Sequence, residues 1–166
     1  YGIPLTSLDD DPTLDLALDG ADEVDDALRL IKGGGGAHSR EKVVARQADQ
    51  FVALVDPTKK VDRLGTHFPV PVEVLPMAAT PVMGTLEDAG ATPELRTSDA
   101  KDGPVVTDQG LWVVDARFPK GIPAPADLDC RLNERPGVLD HGLFLNMATD
   151  VLVGHPDGSA DHCSPS

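Results

Sequence analysis

Basic residues are scarce in this 166-residue chain: 6 Lys and 8 Arg stand against 22 Asp and 6 Glu, for a formal net charge of −14. A surface so acidic repels polyanions, which argues against nucleic acid as a partner. Cysteine is nearly absent, and Cys130 and Cys163 have no C-x-x-C spacing, so neither a disulfide framework nor a zinc ribbon is encoded. No apolar run approaches the roughly 18 residues that cross a bilayer. The start Tyr1-Gly2-Ile3-Pro4-Leu5 lacks the basic and apolar regions of a signal peptide. These absences predict a cytoplasmic protein with no membrane partner.

Several signatures of reactive sites are missing too. The glycine run at 33–36 is not closed by Gly-Lys-Ser/Thr, as a P-loop would be, and His38 or Ser39 stands where G-x-G-x-x-G needs its third glycine. Asp9-Asp10-Asp11 lacks the glycine and terminal glutamate of a calcium loop, and H-E-x-x-H does not occur. No Ser or Cys sits on a nucleophile elbow. His155, His162 and Cys163 fall in a polar stretch that reads as a frayed terminus rather than a metal site.

What is present suffices for a core. Hydrophobic residues make up 40% of the chain, enough for one medium domain or two small ones sharing an interface. Self-repulsion among the aspartates weakens the compact state at low salt and is screened at high salt, a composition that fits a salt-loaded cytosol or, on the plainer reading, an ordinary acidic enzyme.

Periodicity predicts a strand over Leu14–Leu18, a helix from about Ser39 to Ala48 and an apolar strand over Phe51–Val55. Apolar strands joined through a helix imply a parallel sheet covered on both faces. After Lys60, proline and glycine punctuate shorter elements. A strand within 68–75, a helix over about 80–89, strands near Leu95 and over 111–115, a helix near 126–132 and a strand near Val138 follow the β-α-β-β-α-β order of a ferredoxin-like sandwich. The expected organisation is a Rossmann-like catalytic domain over 1–66 plus 141–154, an inserted ferredoxin-like subdomain over 67–140, and a polar tail over 155–166. Leu143–Leu145 and Thr149–Val153 are candidates to rejoin the first sheet.

The most informative stretch is Lys32-Gly33-Gly34-Gly35-Gly36-Ala37-His38-Ser39-Arg40-Glu41-Lys42, downstream of Asp19-Gly20-Ala21-Asp22-Glu23. Four glycines cost backbone entropy, roughly 0.5–1 kcal/mol each relative to Ala if helical, so they mark a backbone that lies close to a ligand. Ligands of open α/β sheets bind beyond the carboxyl ends of the strands. That rule collects the 19–23 loop, the 32–36 loop and Asp56-Pro57-Thr58-Lys59 at one rim. Asp19, Asp22, Glu41, Lys32 and Lys59 together suit proton transfer on a bound anion.

The ordered set DGADE, KGGGGAHSREK, DPTKK and PVEVLPMA, with Asn133-Glu134-Arg135-Pro136-Gly137-Val138 beyond it, closely resembles the ribose-5-phosphate isomerase A family. The resemblance runs from about Gly2 through Val153. It implies interconversion of ribose 5-phosphate and ribulose 5-phosphate in the pentose phosphate pathway, with no metal and no organic cofactor, on a Rossmann-like domain carrying a ferredoxin-like one. It implies Glu41 as the general base working through an enediolate, with Asp19 and Asp22 engaging sugar hydroxyls. Lys32 and the Gly33, Gly34, Gly35 and Gly36 amides would face the developing oxyanion, and Lys59 would hold substrate or phosphate. Assembly as a homodimer or homotetramer through the second subdomain is expected.

Two departures stand out. The family's opening strand and G-x-G-S/T phosphate loop are not found ahead of Tyr1, which predicts weak activity for this polypeptide alone. His38 stands where the family carries an apolar residue; a surface substitution is expected, the other reading being that, beside Glu41, it shifts the pKa of that base. The alternative reading is a non-catalytic sugar-phosphate-binding or oligomerisation module on the same fold.

Overall fold

The computed structural model describes residues 1–98 and 101–165. Its first sheet contains β1 (Leu14–Gly20), β4 (Ala48–Val55), β12 (Asp150–Gly154) and β13 (Ala160–Cys163), in that spatial order. The first three are parallel, and β13 returns antiparallel to β12. Thr149–Val153 therefore does rejoin the first sheet. The segment expected to fray instead supplies β13; its last residue, Ser166, lies outside the described residues.

Strand alternation decides what this sheet buries. Ala17, Phe51, Ala53, Val55, Val151 and Val153 enter a core with Leu30, Ala45 and Phe144. On the other face Leu16, Leu18, Leu54 and Leu152 keep between 36 and 58% of their surface exposed. The expectation of a sheet covered on both faces thus holds for one face among the described residues.

Between β1 and β4 lie the short β2 (Glu23–Val24) and β3 (Leu30–Ile31), then α1 (His38–Gln47). With β11 (Leu143–Phe144), β2 and β3 form a small antiparallel sheet, ordered β11-β3-β2. Leu143–Phe144 therefore pairs here rather than in the first sheet. Two-residue strands leave no periodicity to read, and tertiary pairing creates them.

The second unit follows the predicted order. Strands β5 (Val70–Val74), β6 (Thr92–Leu95), β9 (Trp112–Arg117) and β10 (Val138–His141) form an antiparallel sheet ordered β10-β5-β9-β6. Helices α2 (Ala79–Asp88) and α3 (Pro125–Asn133) complete the ferredoxin-like arrangement, with Val82, Leu86, Leu128 and Leu132 in its core. A two-stranded ribbon, β7 (Thr97–Ser98) and β8 (Lys101–Pro104), projects between β6 and β9.

All five residues of β5 are buried because both of its faces are covered. Val70, Val72 and Val74 join the core of the second unit. Glu73 instead accepts a hydrogen bond from Ser39 on α1. This seam between the units is polar. Lys42 donates to Asp140 and to the His141 carbonyl, each at 2.5 Å. His141 Nδ1 accepts from the Leu143 N–H at 3.3 Å, and its Nε2 lies 3.5 Å from Asp129. Burial depresses the His38 imidazole against the opposing pull of Glu73 and Asp140, and it drives His141 down to about 3, aided by Lys42 and His38.

Two outcomes follow. Leu132 is wholly buried, so Leu132→Ala is expected to lower the unfolding free energy by about 2–5 kcal/mol in urea titrations. The unfolded chain protonates these histidines near pH 6.5, whereas the folded chain resists, for His141 down to about 3. Stability is therefore lost as pH falls below 6.5 and is indifferent to these groups above it, at up to about 1.4 kcal/mol per pH unit per histidine. Unfolding curves between pH 7.5 and 5 should show a shallower decline in His141→Asn than in the parent.

Candidate active site

Lys32 emerges from β3 into the space between the end of β1 and the first turn of α1, and its side chain is 3% exposed. Its ammonium donates to the Gly20 carbonyl at 2.5 Å, lies 2.9 Å from Asp19 Oδ2 and 3.1 Å from Glu41 Oε2. The last contact is ionic without hydrogen-bond geometry, since the buried Oε2 has no hydrogen-bond partner among the described residues. Asp19 is held from its other oxygen by the Gly20 N–H at 2.7 Å. Beside the cluster, the ammonium groups of Lys32 and Lys42 lie over the Phe144 ring, 5.5 and 5.0 Å from its centroid, where the negative π face attracts a cation.

The glycine run forms a turn ahead of α1 rather than its first turn. The Gly36 N–H donates to the Gly33 carbonyl at 3.0 Å, and the helix starts at His38. Gly33 has φ +99°, and a Cβ there would meet the His38 ring and Pro71 at 2.7 Å. At Gly34 the constraint is Asp22: its Oδ2 accepts the Gly34 N–H at 2.8 Å, and a Cβ would fall 2.9 Å from Oδ1. Gly35 is open, with no hydrogen bond to its N–H among the described residues.

Sequence-predicted residues therefore gather in two adjoining groups. Lys32, Asp19 and Glu41 make one, and Asp22 with the Gly33–Gly36 turn makes the other. Asp19 and Glu41 line a common cleft of about 400 Å³. Lys59 stands apart from both groups. It lines a cavity of about 430 Å³ at the carboxyl ends of β1, β4 and β12, together with Gly20 and Asp56, and its ammonium lies 4.5 Å from the Phe68 ring. Gly20 ties the two regions, since its carbonyl holds Lys32 while its backbone borders the Lys59 cavity. A larger cavity of about 650 Å³, between Leu8, Leu14 and the Val43–Val44 side of α1, contains none of these residues.

His38 corrects an expectation. It is fully buried against Gly33, not a surface residue, and the charged groups acting on it are Glu73, Asp140, Lys42 and Arg96 rather than Glu41. Among the described residues no group of three or more His, Cys, Asp or Glu side chains is placed to hold a metal. His162 and His155 are each matched with one carboxylate, Asp150 at 2.6 Å and Asp161 at 2.9 Å.

Sequence reasoning missed two contributors. Phe144 was read only as part of a strand, although it supports Lys32. Arg96 donates to the carbonyls of Gly33 and Gly34 at 3.1 and 3.2 Å from more than 60 residues away, and no local pattern around it signals that role.

Known proteins resemble this chain in both sequence and fold. A family model described as ribose 5-phosphate isomerase A (phosphoriboisomerase A) matches residues 1–158. The ribose-5-phosphate isomerase A of Thermosynechococcus vestitus is 58% identical over 154 residues, covering 93% of this chain and 65% of the relative. This chain thus spans about two thirds of the length of such curated relatives. Among solved structures, ribose 5-phosphate isomerase A from Methanocaldococcus jannaschii superposes with a TM-score of 0.90 at 42% identity, covering 98% of this chain and 70% of the other. A D-ribose-5-phosphate isomerase in complex with phospho-erythronic acid superposes at 0.92 with 44% identity and the same coverage. With the residues of the Lys32 cluster and the glycine turn inside the matched range, the chain belongs to the ribose 5-phosphate isomerase A family.

Proposed function

We propose that this chain carries the catalytic groups of an aldose–ketose isomerase that interconverts D-ribose 5-phosphate and D-ribulose 5-phosphate in the pentose phosphate pathway, using no metal or organic cofactor. The observation that carries the reading is the Lys32 ammonium, shielded from water and shared between Asp19 and Glu41. A cation held between two carboxylates at a cleft is suited to a reaction in which a proton leaves carbon while negative charge grows on neighbouring oxygens.

In this reading Glu41 removes the C2 proton of the open-chain aldose, and the electron pair moves into a C1–C2 double bond as the C1 carbonyl becomes an enediolate oxygen. Lys32 and the free Gly35 N–H face that oxygen. Glu41 returns the proton to C1 while a proton passes from O2 to O1, so atoms and electrons balance without an external oxidant. Asp19 and Asp22 engage the sugar hydroxyls and assist ring opening and the oxygen-to-oxygen proton transfer. Lys59, in the cavity one loop away, holds the substrate's phosphate. Binding of phospho-erythronic acid by a structural relative supports a sugar-phosphate as the class of ligand, because that compound is itself a phosphorylated sugar acid.

The test is proton exchange followed by NMR in deuterated buffer, with ribose 5-phosphate as substrate. Glu41→Gln is expected to slow isomerisation and solvent exchange at C1 and C2 by about 10²–10⁴-fold while leaving sugar-phosphate binding in calorimetry nearly intact. Unchanged exchange in Glu41→Gln would refute the assignment, and binding without any exchange in the parent would return the non-catalytic module. For Lys59→Ala the expected signature is a raised KM, because it removes binding remote from the reacting carbons.

A further inference from the structure

We propose that Arg96, from the second unit, is a positioning residue that sets the peptide planes of the glycine turn and, through them, the carboxylate of Asp22. The proposal rests on the isomerase reading for its kinetic consequence but not for its geometry.

Arg96 follows β6, and its side chain is 15% exposed. Its Nε and Nη2 donate to the two oxygens of Asp115 on β9 at 2.7 and 2.5 Å. That bidentate grip fixes the guanidinium plane and leaves Nη1 pointing at the turn, where its two hydrogens serve the Gly33 carbonyl at 3.1 Å and the Gly34 carbonyl at 3.2 Å. A trans peptide is planar, with its C=O and N–H directed oppositely. Holding the Gly33 carbonyl on Arg96 therefore sends the Gly34 N–H the other way, where Asp22 accepts it at 2.8 Å. Holding the Gly34 carbonyl sends the Gly35 N–H away from the guanidinium in the same manner, leaving it without a protein partner.

The result is a relay across the two units: Asp115, Arg96, the Gly33–Gly34 peptide, Asp22. Each member is polarised by the one before it, since a cation on the carbonyl strengthens the same peptide's N–H as a donor. The chain needs a planar fork. A lysine at 96 retains the charge but has a single nitrogen, which cannot hold both Asp115 oxygens and both carbonyls. Glycine is required opposite the fork as well, because a Cβ at Gly34 would displace Asp22 and one at Gly33 would strike His38 and Pro71.

Arg96→Lys preserves the ion pair and is the primary variant; Arg96→Met is the stronger one. Two measurements are read in each: the Gly34 amide proton resonance in a ¹H–¹⁵N spectrum, and kcat with KM for ribose 5-phosphate. The expected result is an upfield move of the Gly34 amide proton toward that of an ordinary glycine, with kcat reduced by up to about 10²-fold and KM changed much less. A Gly34 resonance that stays in place in folded Arg96→Lys would overturn the proposal, and so would a displaced resonance with kcat at the parent value. If the parent itself shows no isomerisation, the isomerase reading fails, and the Gly34 amide alone decides whether Arg96 sets the turn. Asp115→Asn, which weakens the grip on Arg96 without removing it, is expected to move the same amide part of the way.

Discussion

The site depends on giving one dehydrated cation its partners. A lysine withdrawn from water is costly unless its charge is matched, and Lys32 is matched only where three separate pieces of chain meet. Asp19 and the Gly20 carbonyl come from the end of β1, Glu41 from the first turn of α1, and the ring of Phe144 from β11. The requirement runs both ways. Without Lys32 the carboxylates of Asp19 and Glu41 would face each other across a shared cleft with no cation between them.

A second constraint is the polar seam where α1 meets the ferredoxin-like unit. Apolar packing would hold these surfaces together without fixing their register, whereas Ser39 on Glu73 and Lys42 on Asp140 and the His141 carbonyl allow few alternatives. The Lys42 ammonium also lies 5.0 Å from the Phe144 ring, whose centroid is 5.5 Å from that of Lys32, so the ring links the seam to the Lys32 cluster. The helix that bears Glu41 is thus anchored to the second unit by the residues on either side of it. Arg96 adds a separate tie from the same unit to the glycine turn. The ferredoxin-like unit is in this sense a brace for the site.

Much of this was legible in the sequence where the signal is local. The apolar run at 51–55, the amphipathic pattern after Ser39 and the β-α-β-β-α-β order beyond Lys60 each reflect a face that must be buried, and those elements form close to where they were expected. The proximity of Lys32, Asp19 and Glu41 was legible because loops at one rim of a parallel sheet converge. The two-residue strands β2, β3 and β11 were not, since each is too short to show a period and β3 is completed by pairing with β11 across more than 100 residues. His38 misled because a polar residue beside glycines reads as exposed, while the turn folds it beneath Gly33. Arg96 was invisible for a different reason: nothing near it in the chain marks it, and its partners are backbone carbonyls, which any sequence supplies.

The claim that Lys32 organises the site is tested most directly by a double-mutant cycle on unfolding free energy with Lys32→Met, Glu41→Gln and the pair, in urea at pH 7. The account predicts a coupling of about 0.5–3 kcal/mol between the two positions, the range found for side chains that share one charged network. Additive effects, with a coupling indistinguishable from zero, would mean that the 3.1 Å approach of these groups carries no energetic weight and that the cluster is not what holds the rim together.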